Sequence, residues 1–261
     1  MKHFSSIVIT GASSGIGAAL AEAYAAPSVK ICLFGRNAKR LNAIARTCTA
    51  RGALVVAHAC DVREQETLRT HILAFDTQHP IDLVIANAGI SAGLGNSTES
   101  EEQVREVFAI NVDGVLNTVL PILPRMQQRK RGHIALMSSL AGLRGLPSCP
   151  AYSASKNAVR AFGEGLRGAY QEHGITVSVI CPGYIRTPMT DTNVFPMPFI
   201  MSAQKAAQKI QRGLALSRSR IAFPLALYLP LWLLTCLSVR LTDPFFAALP
   251  RKSSLPKNEK I

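Results

Sequence analysis

Tyr152 and Lys156 stand four residues apart, and Ser139 precedes the tyrosine by thirteen. On a helix the tyrosine and lysine share one face. A free phenol has a pKa of about 10, too high for efficient proton exchange near neutrality. A neighbouring ammonium favours the phenolate and brings that value down toward the working range. A serine hydroxyl beside the pair can donate a hydrogen bond to an oxygen on which negative charge develops. The three residues are therefore equipped to move a proton to or from an oxygen. A Tyr-x-x-x-Lys pair by itself is most often a solvated helix face, and Ser138 and Ser139 could merely cap a strand. The pair gains weight only from what accompanies it.

What accompanies it is a glycine-rich turn, Thr10-Gly11-Ala12-Ser13-Ser14-Gly15-Ile16-Gly17, between a short apolar run and an alanine-rich helical stretch. Glycines there let the backbone approach a pyrophosphate closely, and the helix N-terminus adds amide donors and a favourable dipole. The spacing is GxxxGxG, where many dinucleotide-binding turns read GxGxxG. Further along come Asp61-Val62, Asn87-Ala88-Gly89, Asn111 and Pro182-Gly183.

Over about residues 5 to 190, these motifs in this order resemble the classical short-chain dehydrogenase/reductase family, especially its members acting on lipophilic ketones and alcohols. The resemblance implies a Rossmann-type doubly wound parallel sheet and hydride transfer between a nicotinamide cofactor and a carbonyl or alcohol carbon. It implies a catalytic set of Asn111, Ser139, Tyr152 and Lys156. In that set Tyr152 exchanges the proton, Lys156 also binds the nicotinamide ribose, and Asn111 holds a water in the relay. The thirteen-residue gap selects Ser139 and leaves Ser138 as its structural neighbour. By the same resemblance Gly11, Ser13, Ser14, Gly15, Ile16 and Gly17 form the pyrophosphate turn, and Asp61 and Val62 meet the adenine. Asn87, Ala88, Gly89, Pro182 and Gly183 line the cofactor, and Thr187 contacts its carboxamide. No metal site is expected.

Cofactor choice is legible at the end of the second strand. A carboxylate there would bind the adenosine ribose hydroxyls of NAD. This chain has Gly35 and then Arg36. Without the acid a 2′-phosphate meets no repulsion, and Arg36 offers it a planar, permanently charged partner, with Arg40 a turn onward. The expectation is NADP(H), with NAD(H) as the alternative.

The elements that must hold these residues follow the alternation of βαβ units. Strands are expected at Ser6–Thr10, Lys30–Phe34, Leu54–His58, Asp82–Ala86, Gly132–Ser138 and Thr176–Ile180. The intervening helices are expected at Gly15–Ala26, Ala38–Arg51, Glu64–Gln78, Glu99–Gln128 (bent by Pro121 and Pro124) and Ala151–His173. A loop over Thr190–Met201, a helix from Ala203 to about Leu216 and a short seventh strand at Arg220–Phe223 complete the pattern. The domain reading is one Rossmann catalytic and cofactor-binding domain over residues 1–220, with a substrate loop about 188–216. An apolar, then basic, extension follows over 221–261.

At 261 residues, 48% apolar and 17% charged, the chain is neither disordered nor fibrous and can bury one large core. Its net charge of +13 is uneven: ten basic and two acidic residues lie from Lys205 onward. No recognition-helix pattern, zinc spacing or stacking sheet accompanies this charge, which excludes a nucleic-acid module. The basic residues instead flank a charge-free run, Ile221–Val239. Three uses of it stand open: a membrane span, a peripheral membrane contact through about 221–250, or a buried, dimer-forming or substrate-covering segment. The six cysteines are scattered with no Cys-x-x-Cys pair, which suits free thiols. With no charged-then-apolar leader at Met1-Lys2-His3-Phe4-Ser5, the expected location is the cytoplasm or the membrane surface within it. The expected protein is an NADP(H)-dependent oxidoreductase, a homo-oligomer acting on a small apolar, lipid-like carbonyl or alcohol. The rival readings are a non-catalytic NADP(H)-binding regulator, against which the complete Ser139, Tyr152, Lys156 and Asn111 set speaks, and a membrane-docking scaffold.

Overall fold

The computed structural model describes residues 2–94, 98–193, 195–248, 252 and 254. Much of the basic end of the 221–261 extension lies outside the described residues. The first half of the chain is β1 (Ser6–Thr10), α1 (Gly15–Tyr24), β2 (Lys30–Gly35), α2 (Ala38–Ala50), β3 (Leu54–Ala59), α3 (Gln65–Gln78) and β4 (Leu83–Ala86). Next come α4 (Glu101–Phe108), α5 (Gly114–Val119), α6 (Leu123–Gln128), β5 (Gly132–Met137), α7 (Pro150–Tyr170) and β6 (Ile175–Pro182). The last part holds β7 (Ile185–Arg186), α8 (Pro188–Asp191), β8 (Met201–Ser202), α9 (Ala203–Ala215), β9 (Arg220–Phe223), α10 (Leu225–Thr235) and α11 (Val239–Ala247).

Seven strands form one parallel sheet in the order β3-β2-β1-β4-β5-β6-β9, and β7 pairs with β8 separately. The order reverses between β1 and β4, which opens a crevice above their carboxyl ends. Strand periodicity divides the core between the two faces. Ile7 and Ile9 of β1 pack on α1 and α9 with Leu20 and Ile210, while Val8 turns to the other face with Leu68, Val107 and Val159. Sequence and structure agree on every strand of the large sheet to within two residues at each end. The boundary drawn at residue 220 falls inside the seventh strand, so the sheet takes in the first residues of the 221–261 extension.

One helical expectation needs correction, and the run left open takes a definite form. The stretch expected to bend at its prolines is also remodelled earlier: a π-helical turn, Ala109–Asp113, links α4 to α5. The Ile221–Val239 run is not one helix. It is shared between a strand, the eleven-residue α10 and the start of α11. At about 1.5 Å per residue α10 is far shorter than the roughly 30 Å of a bilayer core, so no helix of this run is long enough to cross one. The helical stretch Glu101–Gln128 is long and apolar enough to cross a membrane, but more than half of its apolar window is buried in the protein.

The edge of β1 is pinned to β4 by Asp82. Its Oδ2 accepts the Ser5 N–H at 2.9 Å, the Ser5 hydroxyl at 2.7 Å and the Ser6 N–H at 3.2 Å, and Arg131 meets Oδ1 at 2.6 Å. Burial raises the carboxyl pKa, but the Ser5 bonds and the Arg131 charge outweigh it and hold it below the usual range. A depressed carboxyl contributes stability above its unfolded pKa, and that contribution is lost as pH falls through the folded value. Asp82→Asn should therefore cost about 1–3 kcal/mol at pH 7. In urea unfolding the gap from the parent should close as pH drops below the carboxylate range; a gap independent of pH would contradict this account.

Candidate active site

The crevice is a cavity of about 1110 Å³, larger than a drug-sized pocket needs. Its floor is built by the ends of β1 and β4. The buried Thr10 hydroxyl accepts the backbone N–H of Asn87 at 3.1 Å and of Ala88 at 3.2 Å. Asn87 Nδ2 donates in return to the carbonyls of Thr10 at 2.9 Å and Gly11 at 3.3 Å. These bonds hold the glycine turn against β4. Gly11 and Gly15 have positive φ, 67° and 55°, which favours glycine. A Cβ on Gly17 would stand 2.2 Å from the Gly11 carbonyl oxygen, so glycine there lets α1 start against the turn. Ser14 at the N-cap makes no side-chain cap bond, and the first turn of α1 carries no acid. Its leading N–H groups and dipole therefore suit an anion at Ser13, Ser14, Gly15 and Ile16, all of which line the cavity.

One end of the cavity is lined by Gly35, Arg36, Arg40, Asp61 and Val62. Arg63 binds Asp61 at 2.7 Å, while Arg36 stands 3.9 Å from the same carboxylate. Burial raises the Asp61 pKa, but the Arg63 bonds and the charges of Arg63 and Arg36 outweigh it, so it remains a carboxylate. Arg63 is its main partner, and Arg36 is held only loosely.

Tyr152 and Lys156 leave α7 toward the middle of the cavity, and Ser139 comes from the turn after β5. Ser139 and Ser91 both stand close enough to Tyr152 to favour its phenolate. Ser139 Oγ accepts the Ala141 N–H at 3.1 Å and reaches the Pro182 carbonyl at 3.4 Å. Ser138 has the structural task expected of it: its hydroxyl donates to the Lys156 carbonyl at 2.7 Å, tying β5 to α7. Lys156 Nζ donates to the Met137 carbonyl at 3.0 Å and lies 5.9 Å from the Tyr152 ring centroid. Burial pushes the lysine down to about 8, with Cys181 pulling upward. Burial also pushes the phenol up to about 12, against the lowering pull of Ser139 and Ser91. This differs from the sequence expectation, in which the ammonium set the phenol's value. Burial is the largest influence on the phenol, and Lys156 is not among the groups that act on it.

All but two of the expected site residues line the cavity, including Asn87, Ala88, Gly89, Pro182, Gly183 and Thr187. Gly17 lies beneath the turn. Asn111, fully buried in the π-helical turn, stands behind the wall. Its Oδ1 accepts the Ile90 N–H at 2.8 Å, and its Nδ2 donates to the Ile90 carbonyl and the Ser155 hydroxyl, both at 3.0 Å. A Cβ on Gly89 would lie 3.0 Å from Asn111 Oδ1 and 3.1 Å from Lys156 Nζ, so the three positions converge.

The other end of the cavity holds residues the motifs did not reveal. Leu227, Leu231 and Leu234 of α10 and Phe246 of α11 form an apolar wall. Their outer neighbours Leu225, Leu229, Trp232 and Leu233 are exposed. Helical spacing of the leucines was available as a signal, but in a run apolar all round it does not say which face is inward. Arg144 anchors α11 by pairing with Asp243 at 2.6 Å and stacking on Phe246 at 5.2 Å. Ser91, Cys149 and Lys252 also line this end, and no motif pointed to them. Among the described residues no cluster of His, Cys, Asp and Glu could hold a metal ion.

Residues 5–195 match the model of a protein family described as short chain dehydrogenase. The chain is 36% identical over 246 residues to an uncharacterized oxidoreductase of Myxococcus xanthus, covering 94% of this chain and 96% of that protein. It superimposes on a short-chain dehydrogenase/reductase from Burkholderia phymatum in complex with NAD, with a TM-score of 0.78, 25% identity and 98% of each chain covered. A short-chain dehydrogenase from Sphingobium yanoikuyae in complex with NADPH shares the fold with a TM-score of 0.77 at 22% identity, over 97% of this chain and 99% of that one.

Proposed function

The chain belongs to the short-chain dehydrogenase family of oxidoreductases, and on that premise we propose hydride transfer between NADP(H) and the carbonyl or alcohol carbon of an apolar, lipid-like substrate. The observation that carries the reading is a single cavity with two ends: a glycine turn and Arg36 at one, and Ser139, Tyr152 and Lys156 beside an apolar wall at the other. The cradle fits a dinucleotide, because Gly11, Ser13, Ser14, Gly15 and Ile16 line the cavity at the start of α1, where the N-cap side chain makes no bond and the first turn carries no acid. The nicotinamide, when bound, supplies or accepts the hydride.

The chain's own residues do the rest. Gly11, Ser13, Ser14, Gly15 and Ile16 hold the pyrophosphate by backbone amides, with Gly17 letting the helix start close to the turn. Arg36 takes the 2′-phosphate, Asp61 and Val62 the adenine, and Thr187 the carboxamide. Asn87, Ala88, Gly89, Pro182 and Gly183 shape the wall, and Lys156 binds the ribose. Ser139 donates to the substrate oxygen, and Tyr152 gives or takes its proton. Asn111 keeps the Ile90 backbone and Ser155 in place, and so steadies the wall at Gly89 and Lys156.

The relatives with bound cofactors carry NAD in one case and NADPH in another, so the preference for NADP(H) rests on Gly35 and Arg36. The apolar substrate rests on Leu227, Leu231, Leu234 and Phe246. We further propose that the outer face of α10 and α11 docks on an anionic cytoplasmic membrane surface. Leu225 is 61% exposed, Leu233 58% and Leu241 73%, and the exposed Arg240 lies among them.

Three outcomes test these proposals. Tyr152→Phe should lower turnover by about 10²–10⁴-fold while NADPH still binds; turnover near the parent's would refute the proton role. Arg36→Asp should weaken NADPH far more than NADH, because a carboxylate replaces the phosphate's partner; a parent that already favours NADH in kcat/KM would refute it. Sedimentation with anionic vesicles should carry the folded protein down and should weaken with salt. Protein left in the supernatant at low salt would remove the membrane contact.

A further inference from the structure

Lys252 reaches the substrate end of the cavity from the C-terminal segment. Its ammonium hydrogen-bonds the Ser91 hydroxyl and lies 5.1 Å from the centroid of the Tyr152 ring. Ser91 is also close enough to Tyr152 to lower the phenol's pKa. One hydroxyl thus stands beside both the cation and the phenol that handles the proton. The backbone is seated too: a Cβ on Gly93 would stand 2.5 Å from Lys252 Cβ and 2.6 Å from the Lys252 carbonyl oxygen, so glycine at 93 lets the segment lie this close.

The direct partner of this cation is neutral. Its hydrogen bond goes to a hydroxyl, and burial lowers its pKa, opposed by the Cys149 thiol. Glu99, which also acts on Cys149, accepts the Ala151 backbone N–H on Oε2 at 2.9 Å, and its buried Oε1 has no hydrogen-bond partner among the described residues. Holding an ammonium in such a place costs free energy unless an anionic group meets it. The wall beyond it, from Leu227 to Leu234 and Phe246, is apolar. The subsite therefore adds a second ammonium beside Tyr152, on its channel side, to that of Lys156, and joins it to a lipophilic channel.

Resting on the oxidoreductase reading above, we propose that Lys252 is a substrate-recognition residue. It takes the carboxylate of an oxo acid whose reacting carbonyl lies at Tyr152 and whose alkyl chain runs along α10 and α11. A carboxylate within a few bonds of the carbonyl can reach the ammonium while the carbonyl oxygen reaches the phenol, because the ammonium lies 5.1 Å from the phenol ring centroid.

The test compares kcat/KM for 2-oxododecanoate and 4-oxododecanoate with their methyl esters, in the parent and in Lys252→Met. The parent should prefer at least one acid over its ester, and Lys252→Met should cut that acid-over-ester ratio by roughly ten- to a hundredfold. Gly93→Ala, which keeps the lysine but displaces its backbone, should cut the ratio in the same direction. Melting temperature and NADPH affinity confirm that each variant is folded. A parent without acid preference, a variant that loses acid and ester activity equally, or one that gains on both (the tail acting as a plug) would overturn the proposal. If no carbonyl turns over, the oxidoreductase reading fails, but calorimetry with dodecanoate and dodecanol still tests Lys252. The parent should then bind the acid more tightly and Lys252→Met should erase the difference; equal affinities in the parent would overturn it.

Discussion

An ammonium withdrawn from water must be met by acceptors or give up its proton, and Lys156 imposes that demand at the centre of this molecule. The residue is 4% exposed, and its Nζ is held by the Met137 carbonyl at the end of β5. To reach it, α7 must lie across the ends of the central strands, and Ser138 fixes the helix there through the Lys156 carbonyl. Gly89 leaves room for the side chain at the end of β4, and Asn111 closes the space behind by binding Ile90 and Ser155. The parallel sheet, the π-helical turn and the long α7 are arranged so that these few polar groups meet. The crevice forms there because the strand order reverses between β1 and β4.

Most of this was legible in the chain. Short β-branched runs bounded by glycine and proline gave the strands, since parallel strands buried on both faces are nearly continuous apolar runs. The GxxxGxG turn and the Tyr152, Lys156 and Ser139 spacing located the site, because the chemistry requires those residue types on neighbouring elements. Three things were not legible. The π-helical turn at Ala109–Asp113 carries the buried Asn111 and its bonds to Ile90 and Ser155, and no local signal marks it. The phenol's elevated pKa depends on how deeply the cavity buries it, which spacing alone does not supply. The fate of the Ile221–Val239 run was open because a stretch apolar all round has no inward face until a partner surface exists.

That partner surface is the cavity itself. Leu227 and Leu231 pack beside Leu140, Leu143 and Val179, so the extension completes the substrate end while its outer leucines remain exposed. The same two helices thus offer an apolar lining to a substrate and an apolar exterior to a surface. On the proposed reading, substrate choice lies at this end, where the family motifs are silent, and cofactor choice at the other, where Arg36 stands 3.9 Å from an Asp61 that pairs closely with Arg63.

We propose that the two ends of the cavity serve one reaction. The most direct measurement follows NADPH oxidation by absorbance across a series of ketones and oxo acids of increasing alkyl length. It predicts turnover that requires a carbonyl and a kcat/KM that rises with chain length as the α10–α11 wall is filled. Tight NADPH binding with no oxidation by any member of the series would contradict it, and would make the protein a cofactor-binding regulator.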